Sequence, residues 1–396
     1  MGRKNIKIIT NGNFPYGSAS ANYLKYFAFA LSHNFNVEVV LPSGNSYGLL
    51  NKVHTFRKGS LKNICYKHLG FVIHPRNYLG KILDNLLALL LPFFYLLKEK
   101  LKGRCDYLII YNIAFIDFLW IVFFKLISSI KLIFILPEFY ERPFKKLALL
   151  NWYNFYFGLK YLSKYGDAHI VLSHYLKNYL NNTLMINKPI FILPNIIDPE
   201  VFSTVKNQKL KYTIGYAGSP TRKDGVEDLI KSFALLNKKY PNTSLLIIGD
   251  TVNTVLPNLK KMAEKLGVKD KITFTGLVPF EQVPPLLMSC QILALTRPKG
   301  VFAEAGFPTK LGEYFACKKP VVITKVGDIP YYFDDEVHVI MVEPENINDI
   351  MQGFERLLIN KGLGEKIVKN SYLWMEEKLN YKNLSESITD FIEIII

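Results

Sequence analysis

Strand-length apolar runs alternate with stretches of helical spacing along this chain, and no other feature limits its fold so strongly. The runs 6–10, 37–41, 106–111, 131–136, 168–172 and 191–193 come first, separated by helical material such as 21–31. Neighbouring parallel strands need a crossover of about a dozen residues, most often a helix. The alternation therefore predicts a mostly parallel sheet with helices on both faces. After ILPNIIDPEVF (192–202) and a polar stretch, STVKNQKLKY, the pattern starts again with the runs 212–216, 245–248, 272–274, 292–295, 321–324 and 339–342. Residues from about 348 onward read as helix with no further strand. The expected fold class is α/β, with two doubly wound, Rossmann-like domains facing a cleft. Their expected extents are 1–200 and 201–396, with the C-terminal helical segment packing back on the first domain.

Charge divides the chain at the same place. Residues 1–195 hold 24 basic and 8 acidic side chains while 196–396 hold 25 of each, so the whole net charge of +16 lies in the first half. With 49% hydrophobic and 21% charged residues, the composition is that of a folded globular chain and excludes wholesale disorder. The four cysteines stand far apart without a CxxC pair. That excludes a disulfide scaffold and a zinc ribbon, and it suits a reducing cytoplasm. The start, MGRKNIKIITNG, has a four-residue apolar span interrupted by Lys7 and does not read as a signal peptide. Residues 82–97 form an apolar stretch of 16, short of the roughly 20 that a membrane span requires. The stretch 115–139 is longer, but Asp117, Lys125 and Lys131 interrupt it. Both are expected as buried or interfacial helices running into strands, not as transmembrane segments.

Open α/β sheets bind ligands outside the carboxyl ends of their strands, so the Gly-rich strand-to-helix junctions are where chemistry is expected. In YAGSPTRKDGVEDLIKSF (216–233), Gly218 lets a backbone approach an anion, and the helix after Gly225 offers N–H groups and the positive end of its dipole. Arg222 and Lys223 add two cations that suit a diphosphate, unless they are merely solvated. In AEAGFPTKLGEYFACKKPVVIT (303–324), Pro308 marks a helix start that would aim Thr309 and Lys310 at a ligand. Glu313, one turn inside, would accept hydrogen bonds from hydroxyl groups. The plain alternative is a surface ion pair between Lys310 and Glu313. The third junction, NGNFPYGSASANYLKYF (11–27), carries Gly12, Gly17 and Ser18 but neither GxGxxG nor a P-loop.

Other chemistries find no support. The seven histidines include no HExxH, and no GxSxG elbow occurs. Asp334–Asp335–Glu336 is the densest carboxylate cluster, is not a DxD motif, and reads as a solvated turn. A metal-dependent transferase is therefore disfavoured.

In this order the segments resemble the glycosyl transferases group 1 family, retaining nucleotide-sugar-dependent enzymes of the GT-B fold. The likeness is strongest over 212–333, in YAGSPTRKDGVEDLIKSF, SLLIIGD (244–250), ITFTGLVPFEQVPPLL (272–287) and FPTKLGEYFACKKPVVITKVGDIP (307–330). NFPYGSASANYL, DAHIVLSHYLKNYL (167–180) and ILPNIIDPEVF extend it in register through the first half. The resemblance implies that Glu313 binds the ribose hydroxyls of a donor nucleotide. It gives Lys223 and Arg222 the diphosphate, which of the two being left open. Backbone N–H groups of Gly218, Ser219, Thr309, Lys310 and Leu311 would face the phosphates, and Gly17 and Ser18 would face the cleft. Glu304 would contact the sugar, but eight residues separate it from Glu313, one more than is usual, and Ala305 stands at the strict position. The basic residue of the phosphate loop commonly adjoins its glycine, whereas here Asp224 intervenes.

The implied reaction is retaining transfer of a sugar from a nucleotide diphosphate sugar, with no metal and no other cofactor. In the family the first domain binds the acceptor and the second the donor. A first domain with net +16, rich in aromatic and leucine side chains, suits an anionic membrane surface and a lipid-linked or cell-surface glycan precursor, as of lipopolysaccharide, capsule or exopolysaccharide. RNYLGKILDNLLALLLPFFYLLKEKLKGR (76–104) is the segment for such contact, or else a core helix with solvated ends. The expected location is cytoplasmic, peripheral on the inner face of the membrane. Nucleic acid is not an expected partner, since no recognised motif accompanies the basic charge. The alternatives are a sugar-nucleotide epimerase on the same fold, for which Glu138 is the one arguable acid or base, and a non-catalytic binding relative.

Overall fold

The computed structural model describes residues 2–17, 19–45, 56–143, 146–203, 205, 208–250 and 255–395. The chain folds as two units, Met1–Ile196 with Tyr381–Ile396, and Ile197–Asn380. The division thus falls between Ile196 and Ile197, a few residues before 200, and the last 16 residues belong to the first unit, not the second.

The first unit holds an eight-stranded sheet of β1 (Asn5–Thr10), β2 (Asn36–Leu41), β3 (Lys58–Leu61), β4 (Ile64–His68), β5 (Tyr107–Tyr111), β6 (Lys131–Leu136), β7 (Ala168–Val171) and β8 (Ile190–Ile192). Its order is β3-β4-β2-β1-β5-β6-β7-β8, parallel throughout except for the β3–β4 hairpin. Strand β1 is the turning point, with Ile8 opposite Val39 of β2 on one side and Ile109 of β5 on the other. Strands β1, β5 and β6 are covered on both faces, which is why β5 and β6 read as near-continuous apolar runs, while β1 is interrupted by Lys7, buried in a pair with Glu38. The hairpin is not among the expected runs, because β3, KGSL, is a half-exposed edge with one large apolar side chain.

Helix α1 (Ala19–Leu31) follows β1, α2 (Tyr78–Leu101) precedes β5, and α3 (Phe115–Phe118) and α4 (Trp120–Ser128) link β5 to β6. At 24 residues α2 is longer than the apolar stretch suggests, and by length and composition it could cross a membrane. His169 is a core residue: its ring stacks on Phe134 and its Nε2 lies 2.9 Å from the Ser163 carbonyl oxygen.

The second unit repeats the plan with β9 (Tyr212–Ala217), β10 (Leu245–Ile248), β11 (Ile272–Gly276), β12 (Cys290–Leu295), β13 (Val321–Thr324) and β14 (Ile340–Val342), all parallel in the order β11-β10-β9-β12-β13-β14. Here β9 is the turning point. The helices of this unit include α5 (Val226–Lys239), α6 (Val301–Ala305) and α7 (Thr309–Ala316). Asp335 and Glu336 of the carboxylate cluster both grip Arg356 at 3.0 Å, so that turn is an ion-pair junction rather than a purely solvated one.

The final helix, α8 (Tyr381–Glu393), returns to the first unit. It packs on α1, where the Ser385 hydroxyl donates to the Ala30 carbonyl at 2.6 Å, and Phe391 stacks on Phe191 with centroids 5.1 Å apart. Ile388 and Ile392 are fully buried there.

Candidate active site

In the second unit the carboxyl ends of β9 and β12 meet the starts of α5 and α7. Gly225 leads into α5 with φ +66°, and a Cβ on it would lie 1.7 Å from the Thr296 carbonyl oxygen. Only glycine lets the helix start sit this close to the end of β12, where the Thr296 hydroxyl donates to the Gly225 carbonyl at 2.9 Å. Gly218, with φ +149°, faces Lys310: a Cβ there would come within 1.9 Å of Lys310 Cε.

Lys310, in the first turn of α7, is held in place. Its Nζ lies 2.6 Å from Asp224 Oδ2 and 5.5 Å from the centroid of the Tyr216 ring. The Tyr216 hydroxyl is 2.6 Å from the same carboxylate oxygen. The Tyr314 hydroxyl accepts from the Ala217 N–H at 2.9 Å, tying α7 to the end of β9. Burial works to raise the pKa of Asp224, but the charge and hydrogen bond of Lys310, helped by Tyr216 and Arg297, hold it below the ordinary carboxylate value.

Glu313 stands one turn further along α7, half-buried, and its carboxylate makes no hydrogen bond among the described residues. Burial pushes its carboxyl up to about 7, with the charge of Lys310 pulling the other way. The alternative, a surface pair between Lys310 and Glu313, does not form, because Asp224 has taken the ammonium.

The expected phosphate donors divide. The Gly218 N–H donates to the Ile248 carbonyl at 2.9 Å and the Leu311 N–H to the Pro308 carbonyl at 3.1 Å, so the fold itself uses both. Gly218 contributes space, and the fully buried Leu311 contributes packing. The exposed Ser219 follows Gly218, and the half-buried Thr309 opens α7. Arg222 and Lys223 are exposed on a short 3-10 turn (Arg222–Asp224) ahead of Gly225. Glu304 is exposed on α6, where its Oε1 accepts from the Gly327 N–H at 3.4 Å. Ala305 is fully buried, which explains why the shifted spacing leaves the carboxylate one position earlier.

Two contributors escape the sequence reading. Asp224, there only an intrusion beside the glycine, is the anchor of Lys310. Arg297, 4% exposed just past β12, donates to the Phe302 carbonyl at 3.1 Å and braces α6. A lone arginine directly after an apolar run is its only signal.

The first unit has a cavity of about 300 Å³ at the carboxyl ends of β1, β5 and β6. Gly12 and Ser20 line it from the Gly-rich junction, Asn112 follows β5, Asp117 comes from α3, and Glu138 and Tyr140 follow β6. Neither lysine nor arginine is among the described lining residues. Burial raises the pKa of Asp117 against a hydrogen bond from Asn154, and burial with the neighbouring Glu138 pushes Tyr140 up to about 12. Gly17, with φ +110°, does not line this cavity, and Ser18 lies outside the described residues.

Comparison with known proteins bears on both units. Residues 198–374 match the family model described as glycosyl transferases group 1. An uncharacterised glycosyltransferase of Methanocaldococcus jannaschii is 25% identical over 257 residues, which are 60% of this chain and 63% of that protein. The match thus spans about three-fifths of that relative's length. A sucrose-phosphate synthase from Thermosynechococcus elongatus superposes with a TM-score of 0.73 at 14% identity, covering 99% of each chain. Anabaena HepE in complex with UDP gives 0.70 at 14% identity, over 98% of this chain and 100% of that one.

Proposed function

Because this chain has the GT-B fold and its residues 198–374 belong to the glycosyl transferases group 1 family, we propose that it moves a sugar from a nucleotide diphosphate sugar to a glycan or lipid-linked acceptor. The transfer proceeds with retention of configuration and without a metal. Glu313 carries the reading: a half-buried carboxylate with no hydrogen bond of its own among the described residues, one turn from an anchored lysine. It would accept hydrogen bonds from the ribose hydroxyls, while Lys310 meets the diphosphate.

Breaking the bond between the sugar and the diphosphate leaves negative charge on the departing phosphate. Fixed cations stabilise that charge without moving during the reaction. Lys310 is such a cation, and Arg222 and Lys223 supply two more from the exposed turn beside it. Glu304 would touch the sugar. No side chain is assigned as a nucleophile, and the departing phosphate takes the proton of the acceptor hydroxyl from the same face.

The cavity of the first unit would hold the acceptor. Its carboxylates, hydroxyls and amides suit the hydroxyl groups of an uncharged sugar, and an anionic group would meet Asp117 and Glu138 with no cation in the described lining to offset them. The basic charge of that unit would serve an anionic membrane surface, placing the protein peripherally on the cytoplasmic face. The product would be a precursor of lipopolysaccharide, capsule or exopolysaccharide.

Thermal shift with a panel of nucleoside diphosphates and nucleotide sugars, without added metal, tests the donor site. UDP comes first, since the Anabaena neighbour was solved with it. A ligand is expected to stabilise the wild type and to lose that effect in Glu313→Ala. Failure of the whole panel would remove the donor reading. Transfer that depends on added acceptor separates it from epimerisation.

A further inference from the structure

Helix α2 is built inside out. Asp84, Tyr95 and Glu99 turn toward the protein: Asp84 is fully buried, with Oδ2 2.6 Å from His74 Nδ1 and 3.2 Å from the Gly44 N–H that donates to it. Tyr95 donates to Glu38 at 2.6 Å, and Glu99 lies 3.5 Å from Lys7 of β1. These contacts anchor the helix near both ends and fix which way it is turned. On its outer side Leu79, Leu83, Leu86, Leu90 and Phe94 recur at spacings of three and four and point to solvent, with Leu79 77% and Phe94 63% exposed. A surface helix of a soluble fold normally turns such a stripe inward.

Helix α4 continues the face. Phe93 packs edge-on against Phe124 with centroids 6.2 Å apart. Phe123 and Leu126 on α4 are 64% and 73% exposed. A contiguous apolar surface of this extent marks a binding face. Exposed cations stand at both ends of α2, Lys81 at one and Lys98, Lys102 and Arg104 at the other.

We infer that the outer faces of α2 and α4 lie in the headgroup boundary of an anionic lipid bilayer, without crossing it. Charge selects this occupant. A second copy of the chain would set the same cations against each other, whereas anionic headgroups complement them. Crossing would drag Asp84, Tyr95 and Glu99 away from their partners into hydrocarbon, so the helix lies flat. The inference locates and deepens the proposed membrane contact, and it stands on this face alone, apart from the donor site.

Flotation of the full chain with phosphatidylcholine vesicles, with and without about one-third phosphatidylglycerol, tests it. The wild type is expected to float with anionic vesicles about tenfold more than with neutral ones. Phe94→Ser/Phe123→Ser, at two exposed positions, is expected to lose binding about tenfold while keeping its circular dichroism and its thermal shift with UDP. Lys98→Glu/Lys102→Glu should lose it at low salt as well. No flotation of the wild type, or undiminished flotation of the double serine variant, overturns the inference. So does a dimer, seen by light scattering, that the serine variant dissolves. Flotation without any nucleotide shift would uphold the inference while removing the donor reading.

Discussion

The two units share the order of six parallel strands, β4-β2-β1-β5-β6-β7 and β11-β10-β9-β12-β13-β14, and place different charges at its centre. In each, a central strand, β1 or β9, marks where the strand order turns, and a Gly-rich loop leads from its end into a helix. In the second unit that end carries Lys310, Arg222 and Lys223 beside Asp224, which holds the lysine, with Glu313 one turn further along α7. In the first, the same place carries Asp117 and Glu138 among hydroxyls and amides, with no cation among the described lining residues. The backbone therefore offers a location and the strand-end side chains set its charge, with three cations at that place in one unit and none among the described lining residues in the other.

That contrast can be broken most directly at Lys310. Lys310→Ala is expected to lower kcat/KM by about 10²–10³ fold, the range for removing one fixed transition-state stabiliser. Wild-type turnover in that variant would move the diphosphate to Arg222 and Lys223, and Arg222→Ala/Lys223→Ala would then abolish transfer. Gly218→Ala comes next, because a methyl group there displaces the lysine side chain. Donor affinity measured by calorimetry should fall roughly tenfold or more, about 1.4 kcal/mol.

Glu313 sharpens the comparison through pH. Its folded pKa of about 7 lies above the ordinary 4.5, so the protonated form is favoured by folding. The stability this gives is present below 4.5 and lost as pH rises through about 7. Glu313→Gln should accordingly raise Tm at pH 8 and leave it little changed at pH 4. Donor affinity should strengthen in the wild type as the carboxylate ionises between pH 6 and 8, and stay flat in the variant. The smallest effect is expected from Asp117→Asn/Glu138→Gln: KM for acceptors bearing a carboxylate should improve severalfold relative to neutral ones, with donor binding unchanged. No change in that ratio would remove the acceptor role of the cavity.

The parallel strands were legible because burial on both faces writes them as apolar runs, and the helix-crossover logic then orders the two sheets. The β3–β4 hairpin escaped, since an exposed edge strand of Lys, Gly, Ser and Leu carries no such run. At the site, the motifs around Gly218 and Glu313 were visible, but their wiring was not. Lys310 and Asp224 stand 86 positions apart, so only the fold brings them together, and that contact also decides against the local Lys310–Glu313 pair. Whether a glycine N–H is free or spent in a sheet ladder, as at Gly218, likewise depends on a neighbouring strand. The rotation of α2 was hidden because the helix is apolar nearly all round, and one buried aspartate settles which side faces in.

Helix α8 has a consequence for the order in which the molecule forms. The ribosome completes residues 197–380 before Tyr381–Glu393 emerges, yet those last residues supply Ile388 and Ile392 to the core begun by the first strand. The core of the first unit is thus completed only after the chain of the second has been made, and until then the α1 surface that α8 covers lacks its partner.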